Sequence, residues 1–311
     1  VQFNDDYSQS TYGGVGLIAT PSARFSNDGD FGFGVSLNPP YNRLYAKMQF
    51  FPWMEAVLRY TEFTNGPYSE GSDQTLKDKG LDLKFKLLEE SNTGLNLALG
   101  LIDLGGTGDF SSEYLVASKR FQNFDISIGL AWGRLGGEDL KREGGKPGGG
   151  RINYDRFFSG QSSIFGGVEY FTPIDNLSFK LEYDSSSYRG IGEPLKIKEV
   201  DSDIFELDSR FNYAMNYRVN LGERDKLDLS LGLVRGNTVY ANLAVHSNLN
   251  YKGMPKVTIG AEKIRNSNLR FFWKIIYRCI SRYLQSTIRT KKSQKGYFCN
   301  GFSRHYNNSC L

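Results

Sequence analysis

Cysteine is absent from this 311-residue chain until Cys279, and the three cysteines, Cys279, Cys299 and Cys310, all fall near its end. That absence excludes a disulfide-stapled scaffold and a thiolate metal site for most of the chain, and it suits export into an oxidising compartment. No uninterrupted apolar run approaches the ~20 residues that a transmembrane helix needs, which excludes a helical membrane protein. It leaves a transmembrane β-barrel open, because barrel strands alternate and barely register on hydropathy. The chain starts at Val1 with neither an initiator Met nor a signal-peptide pattern, so the expectation is an export signal removed or never included. Acids are missing from Asn266 onward, where nine of the 38 Lys and Arg lie, so a body of net −5 carries a tail of +9.

What is present is alternation, with 19 Tyr and 22 Phe to favour strands. In Gly80 to Asp103, Leu81, Leu83, Phe85 and Leu87 alternate with Asp82, Lys84, Lys86 and Leu88, and after a turn at Glu90 to Thr93 the pattern resumes at Leu95, Leu97, Leu99 and Leu101. A period of two places the apolar set on one face of a sheet. The same pattern predicts twelve strands, from Asp30 to about Val245, including a long tenth from Phe205 to Asn220, and a thirteenth at Lys256 to Glu262. Tight links at Phe51-Pro52, Glu90 to Thr93, Phe121 to Asn123, Thr172 to Asn176 and Leu221 to Lys226 alternate with long ones at Thr64 to Lys79, Leu104 to Ser112, Arg134 to Gln161 and Ser186 to Ile204. Short turns on one side and long loops on the other mark an outer-membrane barrel. The link Arg235 to Asn237 is shorter than that sorting requires.

The sign of the alternation needs a separate argument. A barrel of about twelve strands is too wide for its side chains to fill. With apolar residues outward, Asp82, Lys84, Lys86, Arg59, Lys180, Glu182, Arg210 and Arg218 face a wet lumen, where charge costs little. Tyr60, Phe63, Trp132, Tyr170, Phe171 and Tyr183 fall at strand ends, where an interfacial girdle belongs. The expected fold is an all-β, antiparallel up-and-down transmembrane barrel of about twelve strands. It spans residues 30–265, after an N-terminal segment 1–29 and before an irregular tail 266–311. Candidate lumen contacts for a glycan are Tyr45, Arg59, Lys84, Lys86, Phe165, Glu206, Asp208, Arg210, Arg218 and Tyr240, which combine ring faces with charged hydrogen-bonding groups; a generic wet interior would look the same.

The segment before the strands reads YGGVGLIATPSARFSNDGDFGFGVS. Gly14 to Ala19 has the letters of a dinucleotide fingerprint, yet no buried strand precedes it and Pro21 interrupts any helix after it, so a short hairpin or inward-folded segment is expected instead. Gly16, Leu17, Ile18, Thr20, Pro21, Ser22, Ala23 and Arg24, followed by the Asp28-Gly29 turn, resemble the start of the YjbH family of outer-membrane proteins linked to exopolysaccharide biosynthesis. The resemblance extends more loosely to about Ile264. It implies an exported barrel, typically part of a longer chain, that assists export or assembly of a secreted polysaccharide. The implied partners are outer-membrane lipid, that polysaccharide and other exopolysaccharide-assembly proteins, with no nucleic acid and no cofactor.

Two rival classes stand beside this reading. A soluble β-sandwich binding module would share the alternation. An outer-membrane hydrolase, acting on phospholipid or glycan, is invited by His246-Ser247, but neighbours on a strand point to opposite faces and cannot meet. Gly144 to Gly150, GGKPGGG, lacks the ending of a phosphate loop and reads as a flexible external loop. In the tail, strand alternation, acids and glycine turns stop together. A basic membrane-surface helix or a nucleic-acid arm is one reading of it, and a reading-frame change or truncation the expected one.

Overall fold

Period-two alternation becomes a ladder of antiparallel strands in the computed structural model, which describes residues 7–67, 74–105, 110–138, 157–188, 207–222 and 224–250. The strands are β1 Asp30–Asn38, β2 Tyr41–Phe51, β3 Met54–Pro67, β4 Thr75–Leu88, β5 Asn96–Ile102, β6 Ser112–Phe121, β7 Phe124–Gly133, β8 Ser162–Phe171, β9 Leu177–Tyr183, β10 Phe211–Asn220, β11 Asp225–Val234 and β12 Thr238–Asn248. Each pairs with its sequence neighbours, and β1 also pairs with β12 from Asp30 opposite Asn248 to Leu37 opposite Ala241, so the sheet closes. Closure removes the free edges that an open sheet would present. It also rules out the sandwich.

The apolar set faces outward. Phe33, Leu44, Leu58, Ile128, Leu231 and Val239 are exposed, whereas Arg43, Lys47, Gln49, Glu55, Arg59 and Thr61 on the alternate positions are buried. Outward aromatics gather near both rims: Phe51 stacks on Trp53 and Phe124 lies against Tyr170 at one, and Tyr183 meets Phe211 at the other. Two residues expected in a girdle are placed differently. Phe63 shares the parity of Arg59 and Thr61 and is buried against Tyr41, and Phe171 shares the parity of Glu169 and lies against Tyr7.

One rim carries the short turns at Phe51–Met54, Leu88–Asn96, Phe121–Phe124, Phe171–Leu177 and Asn220–Asp225, together with the start of β1 and the end of β12. The opposite rim carries the long connections, with Asn38–Tyr41 and Val234–Thr238 as its two short ones. Between β4 and β5 the turn is a single helical turn, α1 Glu90–Thr93, closed by Gly94 in the left-handed region at φ 83°. The tenth strand is shorter than expected. The Ser209 hydroxyl accepts from the Phe211 amide at 3.0 Å, and the Asp208 and Ser209 amides both donate to the Arg235 carbonyl, so local bonds replace the ladder before Phe211. The expected thirteenth strand, the Gly144 to Gly150 loop, Glu206 and the tail from residue 266 lie outside the described residues.

Candidate functional site

Residues 7–29 fold back into the barrel. Ser8, Gln9, Ser10, Thr11, Val15, Leu17, Ile18, Thr20, Ser22, Ala23 and Arg24 are buried, although none belongs to a strand longer than a single bridge. Two tight turns shape the segment: the Ser10 amide donates to the Gly14 carbonyl at 2.8 Å, and the Leu17 amide donates to the Thr20 carbonyl at 2.9 Å. Gly13 sits at φ 95°, and a Cβ there would fall 2.5 Å from the Tyr45 ring, so only glycine fits. The wet lumen expected from the sequence is filled by the chain itself. Buried loop backbone must find hydrogen-bond partners, and the inward charges of the strands provide them.

Glu182 on β9 is the centre of this arrangement. Its carboxylate accepts from the backbone amides of Ile18 at 2.9 Å, Ala19 at 2.7 Å and Thr20 at 3.1 Å, and from the Thr20 hydroxyl at 2.9 Å. Asn212 on β10 donates a fifth bond at 2.7 Å. Successive amides turned toward one anion form a concave nest, here built by the segment around a residue of the wall. The ammonium of Lys180 donates to the carbonyls of Gly16 at 2.7 Å and Leu17 at 3.0 Å. Lys84 on β4 donates to the carbonyls of Val15 and Arg24, each at 2.8 Å, and pairs with Glu55 at 3.0 Å. The wall thus holds the backbone of Val15 to Thr20 from both signs of charge.

A second grip acts on side chains. The Arg24 guanidinium reaches Asp125 on β7 through Nε at 3.1 Å and Nη2 at 2.5 Å, and reaches Glu90 through Nη1 at 2.7 Å. Burial alone would lower the pKa of Arg24, but Asp125 first and then Tyr7 and Glu90 raise it above its ordinary value. Next to it, the Ala23 amide donates to Ser118 Oγ at 2.8 Å and Asn96 donates to the Ala23 carbonyl at 3.3 Å. Ala23 and Phe25 complete an apolar cluster with Ala98, Tyr114, Val116, Ala131, Leu135 and Phe165, and Ile18 packs with Ala214, Val234 and Tyr240. Toward the long-loop rim the Tyr12 ring lies 4.3 Å from the Arg43 guanidinium carbon and 4.9 Å from that of Arg59, and its hydroxyl meets Arg134. At that rim Asp103 is also buried, which together with Asp78 pushes its carboxyl up to about 8 against the pull of Arg59.

The motif residues therefore have structural partners one by one. Gly16 touches the turn so closely that a Cβ would fall 2.6 Å from the Thr20 carbonyl, and Pro21 bridges back to Gly16. Ser22 caps the Arg24 amide at 3.3 Å. At the exit, Gly29 takes φ 76° and its amide donates to Gln49, while the Asp28 carbonyl accepts from Asn248 and Asn250.

Most of the candidate glycan contacts are engaged within the protein. Tyr45 donates to Asn242 at 3.0 Å, Arg59 pairs with Asp82, and Lys84 holds the segment. Phe165 and Tyr240 lie in the two apolar clusters. Lys86 is half-buried beside Glu89 and the Phe25 ring. Arg218 forks onto Asp228 near the short-turn rim, whereas Asp208 and Arg210 lie at the long-loop rim, Arg210 donating to the carbonyls of Asp184 and Ser186. The nine that are described do not converge on one cleft. His246 faces inward as parity requires, 3.4 Å from Asp228 and 3.3 Å from Gln9, with Ser247 on the other face. Sequence reasoning missed Glu55, Ser118 and Asp125, which are single polar residues at inward positions with no motif to mark them.

The geometry defines a class: a closed twelve-stranded antiparallel barrel, apolar outside, whose polar lumen is occupied by the chain's own N-terminal segment. The chain belongs to the YjbH family, whose profile, described as exopolysaccharide biosynthesis protein YbjH, matches residues 8–271 and so includes both the segment and the barrel. It is 38% identical over 260 residues to an uncharacterized lipoprotein YjbH of Escherichia coli K12, a match that covers 78% of this chain and 35% of the relative. The chain thus spans about a third of the length of that curated relative. Among solved structures it is similar to the KdgM porin, with 9% identity, a TM-score of 0.37, and 70% of this chain and 98% of the porin covered. A triple mutant of the Rhodopseudomonas blastica porin gives 11% identity and a TM-score of 0.27, with 67% and 55% covered. The barrel assignment rests on the strand order itself.

Proposed function

We propose that this chain is an outer-membrane barrel that assists export or assembly of a secreted exopolysaccharide, acting without catalysis. The observation that carries this reading is the continuous belt of exposed apolar side chains around a closed barrel, among them Phe33 at 56%, Leu58 at 63% and Ile128 at 62% exposure. Water would oppose such a surface and lipid would cover it. Membership of an exopolysaccharide biosynthesis family supplies the process. The partners are then outer-membrane lipid, the polysaccharide and neighbouring assembly proteins. Because residues 7–29 occupy the lumen, this barrel acts as a closed scaffold or as a gated passage rather than as a standing pore. The test is a deletion strain complemented with the gene: polysaccharide yield should fall in the deletion and recover with a protein that fractionates with outer membranes and shifts in gel mobility on boiling. Unchanged yield, or a soluble product, would sink the reading.

A further inference from the structure

The inner segment has two legs, and the wall holds them unequally. It enters at the short-turn rim, where the Tyr7 carbonyl accepts from Arg218 at 3.3 Å, turns at Ser10 to Gly14, and leaves at the same rim through Gly29. The second leg, Val15 to Arg24, is bonded to Lys84, Asn96, Ser118, Asp125, Lys180 and Glu182 on β4, β5, β6, β7 and β9, and none of these six keeps a buried side-chain atom without a partner. Among the side chains of the first leg, Ser8 to Gly14, only Gln9, on His246, and Tyr12, on Arg134, hydrogen-bond to the wall. The Ser8 and Thr11 hydroxyls are buried without a partner. The wall beside this leg is as poorly matched. Ser36 on β1, Arg43 on β2, Arg59 and Thr61 on β3 and Asn242 on β12 are buried, and each keeps a side-chain atom that meets no hydrogen-bond partner. Ser36, Arg43 and Thr61 stand side by side across three strands, with Asn242 opposite Ser36. Arg43 pairs with no acid and has only ring faces, Tyr12 at 4.3 Å and Tyr41 at 4.8 Å. Each stranded group raises the free energy of the closed arrangement relative to one that water reaches.

We propose that Ser8 to Gly14 is a moving gate and Val15 to Arg24 a fixed plug: the first leg withdraws toward the short-turn rim and opens a passage along β12, β1, β2 and β3 for a hydroxyl-rich polysaccharide chain. This rests on the export reading above and assigns its moving part and its path. Both ends of the segment lie at one rim, so the leg withdraws without threading through the barrel. Room for it exists there, in a cavity of about 230 Å³ between Tyr7, Gln9 and Asn27 and the ends of β1, β10, β11 and β12. Gly13 and Gly14 join the two legs, and Gly13 already sits at φ 95°, where the backbone bends freely. Withdrawal uncovers the hydroxyls of Ser36 and Thr61, the Asn242 amide and the Arg43 guanidinium, a set that donates to and accepts from sugar hydroxyls. Tyr12 and Gln9 are the latch.

The test is thiol labelling of the full chain in lipid vesicles by a charged, membrane-impermeant maleimide, with Cys279, Cys299 and Cys310 each replaced by Ser. Ser36→Cys reports on the wall beside the first leg and Ser118→Cys on the wall beneath the second. Adding Tyr12→Ala, which removes the latch on Arg134 and the ring over Arg43, should speed labelling at Ser36→Cys by about tenfold and leave Ser118→Cys within about twofold. Retained mobility shift on boiling shows that each variant is folded; if Tyr12→Ala fails to fold, Tyr12→Phe, which loses only the hydroxyl bond, should speed Ser36→Cys by about threefold. An unchanged rate at Ser36→Cys in the folded variant would overturn the proposal. So would equal acceleration at Ser118→Cys, which means that the segment leaves as one piece. The labelling involves no polysaccharide, so its failure beside intact dependence of polysaccharide yield on the gene removes the gate and leaves the export role standing.

Discussion

The wall grips the inner segment in two places that work by different chemistry. Around Val15 to Thr20, Glu182, Lys180 and Lys84 bind main-chain amides and carbonyls, and to these bonds the side chains of the stretch add only the Thr20 hydroxyl. Around Arg24, the contact is between named side chains, one guanidinium on Asp125 and Glu90. The first grip reads shape, because every residue carries the same backbone donors; it demands only a chain that can turn tightly, hence Gly13 and Gly16. The second reads identity. Burying a charge of the wall without either would be costly, so the segment is as much a requirement of the barrel as a guest in it.

Four substitutions separate the grips. Glu182→Ala removes the acceptor of four donors of the segment at once, three of them on buried residues, and should cost the most, about 5 kcal/mol, since each stranded donor is worth roughly 1–3. Urea unfolding in lipid vesicles, followed by tryptophan fluorescence, measures it. Arg24→Ala leaves Asp125 buried and unpaired and should cost about 3–5 kcal/mol. Adding Asp125→Ala should then recover part of that loss; if the double variant is no more stable than the single, the pair is not the second grip. Thr20→Val deletes one hydroxyl bond while keeping volume and backbone, and should cost about 1 kcal/mol. A loss from Thr20→Val as large as that from Glu182→Ala would mean that the first grip also depends on side chains.

Much of the wall was legible because one signal, period two, repeats along every strand. Leu44 against Arg43 and Lys47, or Leu181 against Lys180 and Glu182, places each residue on its face without further information. Errors arose where that signal meets another force. Aromaticity assigns Phe63 and Phe171 to a girdle, although their parity points inward, where Tyr41 and Tyr7 receive them. Ahead of β10 the alternation continues into Leu207 while Ser209 ends the ladder with a local bond. The site was less legible than the wall. The segment carries family-like residues but no period, and its partners Glu55, Ser118 and Asp125 look like any other inward polar residue.

By itself the sequence determined the twelve described strands, the division of each into two faces and the family. These follow from local spacing and from a contiguous motif, and both survive without knowledge of what lies across the barrel. Only the tertiary structure decided that the lumen is filled, which charges meet there, and that Gly16 to Arg24, expected as a short hairpin or inward-folded segment, is what closes it from inside. Glu182 lies more than 160 positions from Ile18, and their contact depends on closure of β1 on β12. The enclosed volume that makes an inward-folded segment favourable exists only once that last pair of strands has met.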